Sequence, residues 1–258
     1  MWQSGDAYEA FMGRWSRRLA ETFVRRVDLP PSRRWLDVGC GTGALTAAVL
    51  AAADPVEVAG VDPSEGFLAM ARARVPDPRV TFTVADAREL PFPDDRFDVV
   101  VSGLVLNFVP DPAAAASEIR RVTAPGGRAV AYLWDLAQGM EMLRYFWDAV
   151  AELNPAAVEL HEGRRYPLCR PEPFGRLWTE AGLTDVTVDD LTIPTPFADF
   201  GDYWQPFLGR QGPGPAYLAT LAEEDQARLR ELLRGRLPAN PDGTIPLTAR
   251  AWVVSGTA

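Results

Sequence analysis

The chain contains no lysine: all 26 of its basic residues are arginine. A Tyr-x-x-x-Lys catalytic pair of the kind found in nicotinamide oxidoreductases is therefore excluded. Histidine is nearly absent too, His161 being the only one. The two cysteines, Cys40 and Cys169, stand far apart. They are too few for a disulfide framework and read as reduced thiols. With one histidine and no close Cys/His spacing, a metal centre is poorly supplied, and none is expected. No stretch of 18 or more residues runs free of charged and polar breaks, so no membrane-spanning helix is expected. The first residues, Met1 to Asp6, lack the cationic start and apolar run of a signal peptide, so a cytoplasmic location is expected. Positive charge is also in deficit. A formal net charge of -9 repels a phosphate backbone and makes nucleic acid a poor substrate.

What remains is globular composition: 258 residues, 47% hydrophobic and 24% charged, enough for one large α/β domain. Seven arginines crowd the first 35 residues against Asp6, Glu9, Glu21 and Asp28, as on a solvated helix face. From Trp35 to Trp134 short apolar runs alternate with helical segments. Strands are expected at Trp35–Val38, Val56–Val61, Val80–Val84, Phe97–Val101 and Arg128–Trp134. Helices are expected at Gly43–Ala53, Ser64–Arg74 (N-capped by Ser64) and from Asp111 or Pro112 to Thr123, with a turn at Pro125-Gly126-Gly127. Such alternation implies right-handed crossovers and a mostly parallel sheet covered on both faces. Further on, a helix over Pro171–Ala181 ends at Gly182, and strands follow at Val186–Leu191 and Ala249–Val254. Two insertions, 136–170 and 194–247, are too long for ordinary connections; the second holds a helix near Glu223–Arg234. Their aromatics (Trp147, Phe197, Phe200, Tyr203, Trp204, Phe207, Tyr217) favour packed lids over disorder. The expected organisation is one domain: N-terminal cap helices over 1–34, a cofactor-binding core over 35–135, and lids over 136–170 and 194–247.

Chemistry is concentrated in Leu36-Asp37-Val38-Gly39-Cys40-Gly41-Thr42-Gly43, between the first strand and the first helix. Glycines there let the backbone approach a ligand, and the helix start offers free N–H groups. The spacing is G-x-G-x-G; the dinucleotide fingerprint G-x-G-x-x-G would need glycine where Ala44 stands. Asp62 ends the second strand 25 residues after Asp37, and Asp86 ends the third, followed by Ala87 and Leu90-Pro91-Phe92.

Together with Phe97–Ser102 and Pro125–Arg128, these pieces resemble the class I S-adenosylmethionine-dependent methyltransferases. The resemblance implies a Rossmann-like sheet of seven strands with helices on both faces and an antiparallel last strand. It also implies S-adenosylmethionine as cofactor and S-adenosylhomocysteine as product. In such enzymes the acid at position 62 holds both ribose hydroxyls and the acid at 86 accepts from the adenine amino group. The implied cofactor site comprises Asp37, Gly39, Cys40, Gly41, Gly43, Asp62, Pro63, Asp86, Ala87, Gly103 and Leu104. Read without the resemblance, Asp62 also suits an N-cap and Asp86 a turn. The stretch Tyr8 to Ser16 is similar to the first helix of the type 11 branch, which includes ubiquinone/menaquinone-type C-methyltransferases. There Tyr8, Arg14 and Trp15 would flank the methionyl end of the cofactor; an amphipathic helix on the sheet edge is the alternative.

After the fourth strand, Asn107-Phe108-Val109-Pro110 lacks the paired prolines and trailing aromatic of nucleic-acid amino-methyltransferases. Asn107 and His161 are the weak catalytic candidates, the first against a loop-capping role and the second against a plain surface residue. The expected activity is methyl transfer to a small-molecule acceptor by in-line displacement, with no covalent nucleophile and no dominant general base. A protein or RNA methyltransferase, and a binding protein without turnover, are the competing readings. Acceptor identity and oligomeric state are not encoded in any motif.

Overall fold

The computed structural model describes residues 12–27, 29–209 and 212–258. In chain order the elements are α1 (Arg14–Val27), β1 (Arg34–Val38), α2 (Ala44–Ala52), β2 (Glu57–Asp62), α3 (Glu65–Arg74), β3 (Val80–Val84) and β4 (Phe97–Gly103). They continue with α4 (Pro112–Val122), β5 (Thr123–Trp134), α5 (Glu141–Leu153), α6 (Glu162–Arg165), α7 (Pro171–Glu180) and β6 (Thr184–Phe197). The last are α8 (Phe200–Trp204), α9 (Pro213–Leu218), α10 (Glu223–Arg236) and β7 (Ile245–Thr257).

The strands form one seven-stranded sheet in the order β3-β2-β1-β4-β5-β7-β6. Strands β1 to β5 are parallel, and the last strand, β7, is antiparallel, as expected. Residue 258 pairs with the backbone of Gly126 and Gly127, while Arg250 exchanges hydrogen bonds with Asp135 and Gly139, so β7 runs against β5. The inner strands are buried along almost their whole length, which is why Trp-Leu-Asp-Val and Phe-Asp-Val-Val-Val read as apolar runs rather than alternations. Strand order reverses between β1 and β4, the point where open α/β sheets bind ligands.

Helix boundaries follow local chemistry. Ser64 caps α3 by accepting from the Phe67 N–H, and Asp111 caps α4 by accepting from Ala114, with Pro112 at the first helical position. Gly182, at φ +88°, closes α7 with bonds from Gly182 N to Thr179 O and from Leu183 N to Trp178 O. That is a Schellman pattern. The exposed face of α1 carries Arg17, Arg18, Arg25 and Arg26 with Glu21, the solvated helix expected from the arginine-rich start.

Three strands differ from expectation. Strand β5 begins at Thr123, not Arg128, because Phe97 pairs with Thr123 and Val99 with Arg128. The expected Pro125-Gly126-Gly127 turn is an excursion within that pairing, with Gly126 at φ +74°. Strand β6 runs on through Pro194 and Pro196 to Phe197. It lies at the sheet edge, where proline is tolerated because an N–H facing away from the neighbouring strand makes no ladder bond, and both prolines are exposed. Strand β7 starts at Ile245, with Pro246 second. The connection between β6 and β7 is correspondingly shorter than 194–247.

Contacts within the chain divide it into two compact units. The sheet unit comprises 15–133, 170–191 and 252–258, with a core that includes Trp35, Leu36, Phe97, Val100 and Trp178. The helical unit comprises, among the described residues, 12–14, 134–169, 192–209 and 212–251. Its core is aromatic: Phe146 stacks on Phe207 at 4.5 Å, Trp147 packs edge-on to Phe146, and the Tyr203 hydroxyl donates to Met142 O at 2.9 Å. Trp147, Phe197, Tyr203, Trp204 and Phe207 are buried, as a packed insertion requires.

Candidate functional site

The glycine turn is pinned to the end of β2. The N–H groups of Gly39 and Cys40 donate to Val61 O, and Gly41 N–H donates to Asp62 Oδ2 at 3.1 Å. The other Asp62 oxygen accepts from Ser64 N–H at 2.9 Å. Asp62 therefore ties the turn to the start of α3, while Ser64 is the N-cap that Asp62 alone might have supplied. Burial pushes the Asp62 carboxyl up, against the lowering effect of those two amides.

Each glycine of the turn has a left-handed φ: +74° at Gly39, +52° at Gly41 and +84° at Gly43. Their surroundings differ. A side-chain carbon at Gly39 would come within 2.5 Å of Val105, whereas one at Gly41 would meet nothing within 4 Å. Gly39 serves close packing, and Gly41 leaves one side of the turn open. Gly43 precedes α2 as its N-cap.

Asp37 is 1% exposed. Its Oδ2 accepts from the Thr46 hydroxyl at 2.7 Å, and its Oδ1 is buried with no hydrogen-bond partner. Desolvation, helped by the nearby negative charge of Asp62, pushes this carboxyl up to about 7. Thr46 went unremarked in the sequence; the signal was its place in the first turn of α2, beside the inward-facing Leu45 and Val49. Cys40 is buried, and burial raises its thiol far above the ordinary range.

On the other side of β1, Ser102 Oγ donates to Val38 O at 2.9 Å and holds β4 in place. Gly103 admits the Tyr132 hydroxyl where a side chain would clash, and Leu104 takes a left-handed φ of +63°. Such strain in a non-glycine residue at a strand end marks a place held by its surroundings. Asn107 lies half-buried in the 3₁₀ turn that follows.

Asp86 stands two residues past the end of β3, beside the buried Ala87. Arg88 grips it through Nε and Nη2, the latter at 2.6 Å, and holds its carboxyl down at about 2. Pro63 is exposed just after Asp62. Asp37, the glycine turn, Asp62 and Leu104 thus gather at the carboxyl ends of β1, β2 and β4.

A model of the methyltransferase domain family matches residues 36–131. A malonyl-[acyl-carrier protein] O-methyltransferase of Halorhodospira halophila is 30% identical over 252 residues, 93% of this chain and 82% of the relative. The chain is a class I S-adenosylmethionine-dependent methyltransferase. A demethylmenaquinone methyltransferase of Geobacillus kaustophilus is 33% identical over 190 residues, 67% of this chain and 80% of that protein. Among solved structures, the Haemonchus contortus phosphoethanolamine N-methyltransferase 2, in complex with phosphomonomethylethanolamine and S-adenosylhomocysteine, superposes with a TM-score of 0.60. It is 22% identical, and the match covers 98% of this chain and 56% of that one. The cofactor of the methyltransferase is S-adenosylmethionine and its product S-adenosylhomocysteine. The residues present fit that group: a buried carboxylate oxygen without a donor suits a cation, and the open side of Gly41 admits a ligand close to backbone.

Tyr8 is outside the described residues. Trp15 is buried on the inner face of α1. Arg14 donates twice to Asp202, at 2.9 and 3.1 Å, and sits over the Phe197 ring at 4.7 Å, all within the helical unit. His161 caps the short helix α6: its Nδ1 accepts from Gly163 N–H at 2.9 Å, which leaves the proton on Nε2. Beside it, Glu162 is buried and accepts from Trp147 Nε1, and burial pushes this carboxyl up to about 7. No described helix is long and apolar enough to cross a membrane.

Proposed function

We propose that the methyltransferase acts on a small-molecule acceptor in the cytoplasm. What supports this is the extent of the match: it reaches far beyond the cofactor motifs, and the relatives named above act on a quinone precursor and on a malonyl group carried by a protein. The net charge of -9 weighs against nucleic acid as acceptor. When bound, the cofactor supplies a methyl group on a sulfonium, open to in-line displacement. The protein's own residues then bind, orient and exclude water rather than form covalent bonds.

In this reading Asp62 accepts from the two ribose hydroxyls on the oxygen lone pairs left by Gly41 and Ser64. Asp86, fixed in orientation by Arg88, accepts from the adenine amino group. Gly39, Cys40, Gly41 and Gly43 shape the turn, while Gly103 and Leu104 present backbone from β4. His161 is committed to capping α6, so a nucleophilic acceptor enters with its proton already acidic or lost.

The test is transfer of labelled methyl from S-adenosylmethionine to a panel of quinols, phenols, amines and malonyl thioesters, beside bulk protein and RNA. Label in a small molecule or thioester supports the proposal. Label in RNA or in polypeptide side chains, or cofactor binding with no transfer, contradicts it.

A further inference from the structure

Asp37 poses a problem that the turn around it does not solve. Its carboxyl is almost completely withdrawn from water, yet among the described residues its donors come from Thr46 alone, the hydroxyl and the backbone N–H, and Oδ1 has no partner. A buried carboxylate left half unpaired is costly. Among the described residues no guanidinium relieves it. The groups bearing on it are Thr46 from α2 and the like charge of Asp62 from β2, with the neutral thiol of Cys40 in the turn. Its neighbours in register, Gly60 on β2 and Val101 on β4, bring no charge. Asp62, by contrast, has a backbone N–H on each oxygen.

We propose that Asp37 is the proton-linked residue of the cofactor site: it carries a proton on Oδ1 in the free protein and releases it to solvent when a cationic group of the cofactor arrives. Protonation replaces an unpaired buried charge by a neutral hydroxyl. The incoming cation, whether ammonium or sulfonium, supplies the missing counter-charge and makes the anion the better form. Burial of the carboxyl to a pKa of about 7 puts this exchange in the physiological range. The proposal rests on the cofactor assignment alone and is untouched by which acceptor is methylated.

Isothermal titration of S-adenosylhomocysteine and of S-adenosylmethionine, in buffers of different ionisation enthalpy, counts the protons. Close to one proton per site is expected to leave at pH 6 and close to none at pH 8, with affinity about tenfold weaker at pH 6. Release with both ligands identifies the ammonium as the counter-charge, and release with S-adenosylmethionine alone identifies the sulfonium; either supports the proposal. Asp37→Asn is expected to abolish the release and flatten the pH dependence. Should Asp37→Asn fail to bind, infrared spectra of wild-type protein labelled with carbon-13 aspartate decide. A protonated-carboxyl band that vanishes on adding S-adenosylhomocysteine or S-adenosylmethionine sustains the assignment. Absence of that band, no release from the wild type at pH 6, or undiminished release from Asp37→Asn overturns it.

Discussion

At the scale of single residues, two neighbouring carboxylates behave differently because their donors differ. Asp62 has a backbone amide on each oxygen, whereas Asp37 has donors from Thr46 alone and its Oδ1 has none among the described residues. Asp62→Ala is expected to weaken cofactor binding by about 1.5–3 kcal/mol, the range for a hydrogen bond to a charged group, as read by titration calorimetry. Asp37 also shapes stability. Its folded pKa is raised to about 7 from an unfolded value near 3.9, so the folded state binds the proton more tightly. The stability it contributes is full below about pH 4 and is lost as pH rises toward 7. The melting temperature of Asp37→Asn relative to wild type should therefore climb between pH 5 and pH 8 in the absence of cofactor. A difference that stays constant or falls would contradict the assignment. His161→Ala at saturating cofactor should lower kcat by less than about tenfold, since general-base help is worth ~10²–10⁴-fold and the ring is occupied as a cap. A hundredfold loss with unchanged fold and cofactor affinity would make His161 the base.

Among the elements, the turn between β1 and α2 separates two kinds of glycine. Gly39→Ala drives a side chain into Val105, and Gly41→Ala meets only its own left-handed φ. The first should destabilise the fold by more than the roughly 1–2 kcal/mol of αL strain expected for the second, and Val105→Ala should partly rescue it. Chemical denaturation of the three variants checks the order; equal losses at both glycines would remove the distinction. This turn was legible from Asp37 to Gly43 because glycine spacing and strand burial are written in consecutive residues. Asp62 could be placed for the same reason, at the end of an apolar run. The Thr46–Asp37 bond and the Arg88 grip on Asp86 were not read, since each depends on how a side chain folds back. Helix α5 was missed for another reason. Its apolar positions Met142, Leu143, Phe146, Trp147 and Val150 follow a helical period, but Met140 offers no side-chain cap to announce it. Strand β6 runs longer than expected because an edge position tolerates Pro194 and Pro196, and which strand is the edge is not written in consecutive residues.

Over the whole molecule, Asp37, the glycine turn, Asp62, Asp86 and strands β1 to β4 share one unit, and the aromatic helices belong to the other. The division of labour this suggests is direct to probe. Replacing 198–244 by a short turn between β6 and β7 should abolish turnover while leaving S-adenosylhomocysteine binding largely intact, measured calorimetrically on protein with wild-type sheet content. Parallel loss of both would make the segment part of the cofactor-binding core.

The central claim, that S-adenosylmethionine is held by carboxylates at the ends of parallel strands, is tested most directly by calorimetry on the wild type and Asp62→Ala, with the nicotinamide dinucleotides as controls. The account predicts one S-adenosylmethionine per chain, a roughly tenfold to hundredfold weaker complex with Asp62→Ala, and no heat from the dinucleotides. Unchanged affinity in Asp62→Ala, or dinucleotide binding in place of S-adenosylmethionine, would contradict it.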